Sequence, residues 1–388
     1  NNQVMPSLFD IGKSGLQAYR QSLAVTGQNI ANINTDGYKK RETALEEVTG
    51  AGGGVTEISD QTGLGVRVED IKRAFDQFLI DKVRQTQALY QKADTYLDEV
   101  KSLENLLLPS DANLSNAIGE FFGSLQQIAA APDDQAPRII SIEKGKDLAG
   151  QFNLYSDRID NLKEKIFDKA NNAVTSVNLL SNQISTINAK LLSSGSGNSS
   201  NALLDQRDLL IDQLSEVCQI SVRYINKGAA QVRLGNTGSG PVIVEPESSV
   251  SAGTNQSPST IPINVIKQGS RLQPVVGSGN VATNQIQGGI IAGLVDAYAL
   301  ADDTLKEIDS LAELLSSKFN EINMSGLNLD GKKGGQMFSV SSLEAVENPT
   351  NRSNVGVAVF VTDPNKIKSD DYNVIYNEKD DLWTLSAS

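Results

Sequence analysis

The sequence predicts an α+β chain of several domains, built around long helices packed as a bundle or coiled coil, with small β units set between them. Three observations carry this. Apolar residues recur at alternating steps of four and three through much of residues 75–217 and again through 288–324, the spacing of helices that lie along other helices. Between and after those stretches, short β-branched runs are separated by Gly, Ser and Pro, the texture of strands and turns. Aromatic residues are only 5% of a chain that is 39% hydrophobic, so its cores must be made mainly by Leu, Ile, Val and Ala.

The first helix opens at Ser7-Leu8-Phe9. Phe9, Leu16, Leu23 and Ile30 recur every seven residues, with Gly12, Tyr19 and Thr26 on a companion row; this makes one apolar seam, whose members are Phe9, Leu16, Tyr19, Leu23 and Ile30. The octet Ala31-Asn32-Ile33-Asn34-Thr35-Asp36-Gly37-Tyr38 stops the helix, because Asn and Asp tolerate left-handed geometry and Gly adopts it freely. A β-ribbon is expected over 39–72, with Gly50 to Gly54 as its turn and Gly63 to Ile71 as its second strand. A helix follows from Phe75, with Leu79, Thr86, Ala93, Val100 and Leu107 on one row and Val83, Tyr90, Leu97 and Glu104 on the next, until Pro109-Ser110-Asp111 breaks it.

A shorter helix is expected from Asn113 to Ala131, ending before Pro132 and Pro137. The clearest periodicity then runs from Leu148 through Phe152, Tyr155, Ile159, Leu162 and Ile166, and again through Ala173, Val177, Leu180, Ile184, Ile187 and Leu191, offset by one extra residue near 173–177. A helix from Arg138 to Ser193 would be on the order of 80 Å long, locally relaxed where the heptad slips. Ser193 to Ser200 reads as a flexible linker, and Ala202 to Leu214 as a helix. Strands are expected at Ile220–Ile225, Gln231–Leu234, Val242–Val244 and Ile261–Ile266, a returning helix from Gly288 to Ile322, a loop from Gly326 to Gly335, and strands again over 338–388, strongest at Val355–Val361. The expected divisions are 1–72, 73–217, 218–287, 288–333 and 334–388, the last of them incomplete.

Composition narrows the function. The net charge is −13 with no His, which argues against nucleic acid or an anionic membrane as partner and removes the commonest general base and zinc ligand. The single Cys218 permits no intrachain disulfide or Cys-based zinc site and reads as a small buried hydrophobe at a helix-to-strand junction. No run of about 20 apolar residues suggests a membrane span, and no cleavable signal is visible. Gly12-Lys13-Ser14 lacks the Gly five positions earlier that a phosphate-binding loop requires, since Ser7 stands there. A calcium loop counted from Gly326 would need Glu where Met337 stands. Asp133-Asp134 and Asp302-Asp303 read as a helix start and a solvated face. No metal, cofactor or catalytic residue is expected.

The octet, at the end of a helix running through Gly15-Leu16-Gln17-Ala18, resembles the Asn-rich signature near the N-terminus of bacterial flagellar axial proteins. Gly63-Leu64-Gly65-Val66 followed by Arg73-Ala74-Phe75-Asp76-Gln77-Phe78-Leu79 resembles a run in the hook–filament junction proteins, the FlgK family. Leu203-Leu204-Asp205-Gln206-Arg207-Asp208-Leu209-Leu210 resembles that family's most specific helix motif, and Phe319-Asn320-Glu321-Ile322-Asn323 with Gly326 and Gly331 resembles its helix-to-loop segment. Asp371-Tyr372 with Trp383 is a weaker match to its outer β domain.

The resemblance implies a structural subunit rather than an enzyme. Residues 1–72 would be an axial segment, with Ala31, Asn32, Thr35, Gly37 and Tyr38 shaping the turn out of the first helix. Long helices would form the body, and small β domains would project outward. Asp205, Gln206, Arg207 and Asp208 would lock their helix to its neighbours through an Arg–carboxylate contact. Implied partners are the hook protein, a second junction protein or filament subunits, other copies of the chain in the assembled tube, and an export chaperone, with no nucleic acid and no membrane. The implied location is the extracellular flagellum, reached through its own export channel without a cleaved signal. Free subunits would be monomeric, with the N-terminal segment poorly ordered. Junction proteins end in a helix that pairs with the first one; this sequence shows none, so the seam is expected to lack that partner and the chain not to assemble normally. A hook or distal-rod subunit and a secreted coiled-coil adhesin are the alternative readings.

Overall fold

The computed structural model describes residues 8–48, 65–108, 113–193, 198–246, 259–328, 330–339, 372–377 and 382–387. Outside these lie the expected Gly50–Gly54 turn, the Pro109-Ser110-Asp111 break, the middle of the Ser193–Ser200 linker, Asp371 and the Val355–Val361 strand.

The elements run in chain order as α1 (Leu8–Ala31), β1 (Arg41–Glu47), β2 (Val66–Arg73), α2 (Gln77–Leu107), α3 (Leu114–Ala130), α4 (Gln135–Ser193), α5 (Asn198–Val217), β3 (Ile220–Tyr224), β4 (Ala230–Leu234), β5 (Val242–Glu245), β6 (Ser259–Thr260), β7 (Ile263–Gln268), β8 (Arg271–Val276), β9 (Val281–Ala282), α6 (Ile290–Ser325), β10 (Tyr372–Asn377) and β11 (Leu382–Ala387). The chain forms two compact units: Asn1–Ala88 with Ser176–Pro262, and Leu89–Thr175 with Ile263–Ser388. Helices α2 and α4 each run through both.

In the first unit, β1 and β2 pair antiparallel, with Arg41 opposite Arg73 and an irregularity between Ala44 and Leu45. Strands β3 to β6 form an antiparallel sheet in chain order. Its core is the apolar row of α4 from Ile184 to Leu191, Ile211 and Leu214 of α5, and Val232, Leu234, Ile243 and Val244 of the sheet. Asn188 joins helix to sheet: its amide donates to the Ala230 carbonyl and its oxygen accepts the Ala230 N–H, both at 2.8 Å. That satisfies the buried backbone polar groups of one strand residue from a helix side chain. Cys218 is fully buried between α5 and β3, and burial pushes its thiol up to about 12, so it serves as a packing group there.

In the second unit, strands β7 to β9 form a separate three-stranded sheet, and α6 packs on β8. Residues 218–287 thus hold two sheets, one in each unit. Phe121 of α3 with Leu148 and Phe152 of α4 centres an apolar cluster that also takes in Phe319 of α6 and Phe338 beyond it. Asn320 closes that cluster: its side-chain oxygen accepts the Met337 and Phe338 N–H groups at 2.8 and 3.0 Å, and its amide donates to the Phe338 carbonyl. Asn323 donates to the Gly335 carbonyl at 2.7 Å. The two asparagines of the Phe-Asn-x-x-Asn run therefore hold the loop back against the helix that precedes it.

Several expectations change. Helix α4 begins three residues before Arg138, capped by Asp134, whose carboxylate accepts the Ala136 N–H at 2.9 Å; Pro137 sits in the first turn, where its missing N–H would have no helical partner. The stretch read as linker is shorter, because Asn198 to Ser200 already belong to α5. Asp302 is not on a solvated face: it is buried and meets Lys163 of α4 at 2.6 Å, while its neighbour Asp303 is half exposed. The apolar row of α2 also faces outward, with Leu79, Val83 and Tyr90 each 59% exposed. The buried side of that helix instead carries Arg84, Ala88, Glu99 and Leu103.

Candidate functional site: the N-terminal arm and its charged anchor

Helix α1 has two faces. Ser14, Ala18, Ser22, Val25 and Asn29 recur at steps of four, four, three and four, which puts them on one side. That side meets the ribbon. Ser14 Oγ accepts the Val66 N–H at 3.2 Å, Ser22 and Thr43 hydroxyls lie 2.8 Å apart, and Ala18 and Val25 are buried. Asn29 makes the firmest link: its amide donates to the Arg41 carbonyl at 2.8 Å, and its oxygen accepts both the Arg41 N–H and the Tyr38 hydroxyl at 2.9 Å. The opposite side holds the expected seam. Phe9, Leu16, Tyr19, Leu23 and Ile30 are 65% to 80% exposed, far more apolar surface than a solitary helix gains from showing water.

The octet forms the turn between helix and ribbon. Asn32 reaches back to the Gln28 carbonyl at 2.9 Å, and its oxygen accepts the Thr35 hydroxyl at 3.2 Å. Ala31 is the last helical residue, and the Tyr38 N–H bonds the Thr35 carbonyl at 3.2 Å. Gly37 has φ +78°, and a Cβ there would lie 3.0 Å from Cβ of Leu209. Two constraints thus coincide on one residue: left-handed backbone and close approach to α5.

Leu209 belongs to the second motif, so the two motifs meet. Asp205 faces both arginines of the ribbon: Oδ2 lies 3.3 Å from Arg41 Nη2, and Oδ1 lies 2.8 Å from Arg73 Nε, an ion contact rather than a directed hydrogen bond. Asp208 accepts from Arg73 Nη2 and, at 2.5 Å, from Arg207 Nη2. Arg207 also donates to the Gly228 carbonyl and stacks 4.2 Å above the Tyr224 ring. Tyr224 takes the edge of Phe75 at 5.5 Å, and Arg73 lies over Phe75 at the same distance. Arg84 of α2 completes the network, donating to Asp212 at 2.7 Å and to the Tyr224 hydroxyl at 3.0 Å. Burial alone would lower the Arg84 pKa, but Tyr224 and Asp212 more than offset it, and burial pushes the Tyr224 hydroxyl up.

The network brings together Asp205, Arg207 and Asp208 of the helix motif; Gln206 is exposed and stands apart from it. Asn29, Arg41, Arg84, Asp212 and Tyr224 were not singled out from sequence, and Arg73 was read only as the start of a family run, with no partner assigned. For Asn29 the legible signal was the row of small and polar residues opposite the apolar seam. Among the described residues no group of three or more His, Cys, Asp or Glu is placed to hold a metal ion, and no helix is long and apolar enough to cross a membrane. The site is a set of fixed contacts with one uncovered apolar face.

Residues 100–338 match the family model of the flagellar hook-associated protein FlgK helical domain. The chain belongs to the FlgK family. Residues 9–39, which hold α1 and the octet, match the model of flagella basal body rod proteins. The flagellar hook-associated protein 1 of Salmonella typhimurium is 25% identical over 99% of this chain and 68% of its own length. That of Escherichia coli K12 is also 25% identical, over 99% and 69%, and that of Bacillus subtilis 26%, over 87% and 70%. The solved flagellar hook junction protein FlgK of Burkholderia pseudomallei shares the fold, with a TM-score of 0.62 at 22% identity, covering 79% of this chain; the chain spans 57% of that one. The FlgK family comprises structural flagellar proteins, and this member is structural rather than enzymatic.

Proposed function

We propose that this FlgK family chain forms part of the junction between flagellar hook and filament, and that α1 is its assembly element. The observation that carries this is the division of α1 into two faces, one held to the ribbon by named hydrogen bonds and one exposing Phe9, Leu16, Tyr19, Leu23 and Ile30. An exposed apolar face of this extent marks a surface that binds something. In the assembled tube, copies of the chain would cover one another, with residues 1–72 forming the axial wall and the long helices forming the body. The octet residues Ala31, Asn32, Thr35, Gly37 and Tyr38 would set the angle at which the axial helix leaves the body, and Asp205, Arg207 and Asp208, without the exposed Gln206, would support that turn from behind. The partners on this reading are hook protein below, a second junction protein or filament subunits above, and an export chaperone before assembly. Many such contacts around a ring add up to firm attachment although each is weak. Export would follow the flagellar channel to the cell exterior.

The test is electron microscopy of cells deleted for the gene, with flagellin assayed in the medium. The expected result is bare hooks and shed flagellin, reversed by the full gene but not by one carrying Leu16→Ser with Leu23→Ser. Normal filaments in the deletion strain would overturn the junction role. Cells without hooks would assign the chain to the hook or rod instead.

A further inference from the structure

We infer that Arg73, together with Arg41, is a positioning residue: it fixes the N-terminal arm, α1 plus the ribbon, to α5, and so sets the direction in which the apolar face of α1 points. Four observations support this. Arg41 and Arg73 stand directly opposite each other in the ribbon, a like-charge pair that disfavours the pairing unless it is neutralised. Asp205 approaches both, and Asp208 approaches Arg73; in all four residues the side chain is no more than 11% exposed. Apolar burial in the arm is slight, since among its described residues only Ala18, Val25 and Ile71 are buried hydrophobics. Asn201 adds one neutral tie to the arm, its amide donating to the Ile71 carbonyl at 2.9 Å. With so little hydrophobic driving force, the geometry of the charges decides where the ribbon sits.

The path from α5 to the exposed face is continuous. Asp205 and Asp208 hold Arg41 and Arg73; the Arg41 backbone is held by Asn29; Asn29 lies on α1. Phe75 and Tyr224 meet edge to face between Arg73 and Arg207, each ring carrying one of the two guanidinium groups. The arginine is also the better side of the latch to cut. Removing Asp208 would take the carboxylate from buried Arg207 and leave Arg73 with Asp205 alone, whereas removing Arg73 leaves Asp208 paired with Arg207 and Asp205 paired with Arg41.

The inference rests on the proposed assembly role only for its consequence in cells; the latch itself is tested in the purified full chain. Hydrogen exchange is compared between the parent, Arg73→Gln and Arg73→Lys. In Arg73→Gln the amides of Arg41–Glu47 and Val66–Arg73 should exchange at least about tenfold faster, with those of β3 to β5 changed by less than about twofold. Arg73→Lys keeps the charge without the fork and should fall between. Unchanged exchange in the ribbon of Arg73→Gln overturns the inference, and so does equal acceleration in β3 to β5, which would make Arg73 a general stabilising residue. In cells, Arg73→Gln should be made at parental levels yet restore filaments poorly. Full filaments from a variant whose ribbon exchanges fast would overturn the positioning role. Filaments in the gene-deleted strain would instead overturn the junction reading and leave the exchange result standing.

Discussion

Helices α1 and α4 carry the same kind of sequence pattern and meet opposite fates. In α4, Ile159, Val177, Ile184 and Leu191 are completely buried, packed within the chain. In α1, Phe9, Leu16, Leu23 and Ile30 are 67% to 80% exposed. A heptad row states that a helix is built to lie against another; it does not state whether the other belongs to the same chain. What separates the two helices is their second face. The other side of α4 is ordinary helix surface, rich in Lys, Asp and Asn, whereas that of α1 carries Ser14, Ser22 and Asn29, which are spent on the ribbon. A helix anchored on its polar side has its apolar side left for something else.

The largest test of this contrast sets a core position against a seam position. Ile184→Ala in α4 should cost about 2–5 kcal/mol of unfolding free energy, the usual range for emptying a filled core site, whereas Leu16→Ala in α1 should change it by no more than about 0.5 kcal/mol. Denaturant melts of both variants measure this. Equal losses would mean that α1 is covered within the monomer and would break the comparison.

A middle-sized effect is expected at Gly37→Ala, where the polar face of α1 ends and the ribbon begins. The side chain would be forced into left-handed backbone and against Leu209, at a cost of roughly 1–2 kcal/mol. Its exchange signature should lie in β1 and α5 and spare β7 to β9. Protection lost in β7 to β9 would show that the turn supports more than the arm.

The smallest effect concerns the charges beside the buried row of α4. Burial pushes the Asp309 carboxyl up, Asp160 and Asp302 add to the shift, and Lys163 opposes it. A carboxyl raised in the folded state favours folding at pH below its unfolded value, and that contribution is lost as pH rises through the folded value. Asp309→Asn should therefore be slightly more stable than the parent at neutral pH, by about 0.5 kcal/mol after allowing for its partial exposure, with the difference gone in acid. Melts across the acidic range check the sign; a variant less stable at neutral pH would mean that Lys163 outweighs burial.

Much of this molecule was legible in the sequence. The helix α1, its stop at the octet, the ribbon, the long helix α4 and the buried Cys218 all follow from period, turn chemistry and composition, which act over a few residues at a time. The motif around Asp205 was legible as a lock but not in what it locks. Its ribbon arginines lie 164 and 135 residues away from their acceptors in the chain; nothing local distinguishes Arg41 from a surface arginine, and the run that begins at Arg73 says nothing of what Arg73 meets. The short strands β8 and β9 escaped for a related reason: Pro274 and two-residue pairings give no run long enough to read. The outward row of α2 shows the same limit, since Arg84 and Glu99 are buried only because Asp212 with Tyr224, and Lys169, come to meet them.

By itself, then, the sequence determined which segments coil into helices, where they stop, which faces are apolar, and that the chain contains no His. The tertiary structure alone decided which apolar faces are covered and which charges are buried. Local backbone preferences and side-chain periodicity are written within a few turns of helix or strand, whereas burial of a face or a charge depends on the group that arrives opposite it, and that group comes from a distant part of the chain.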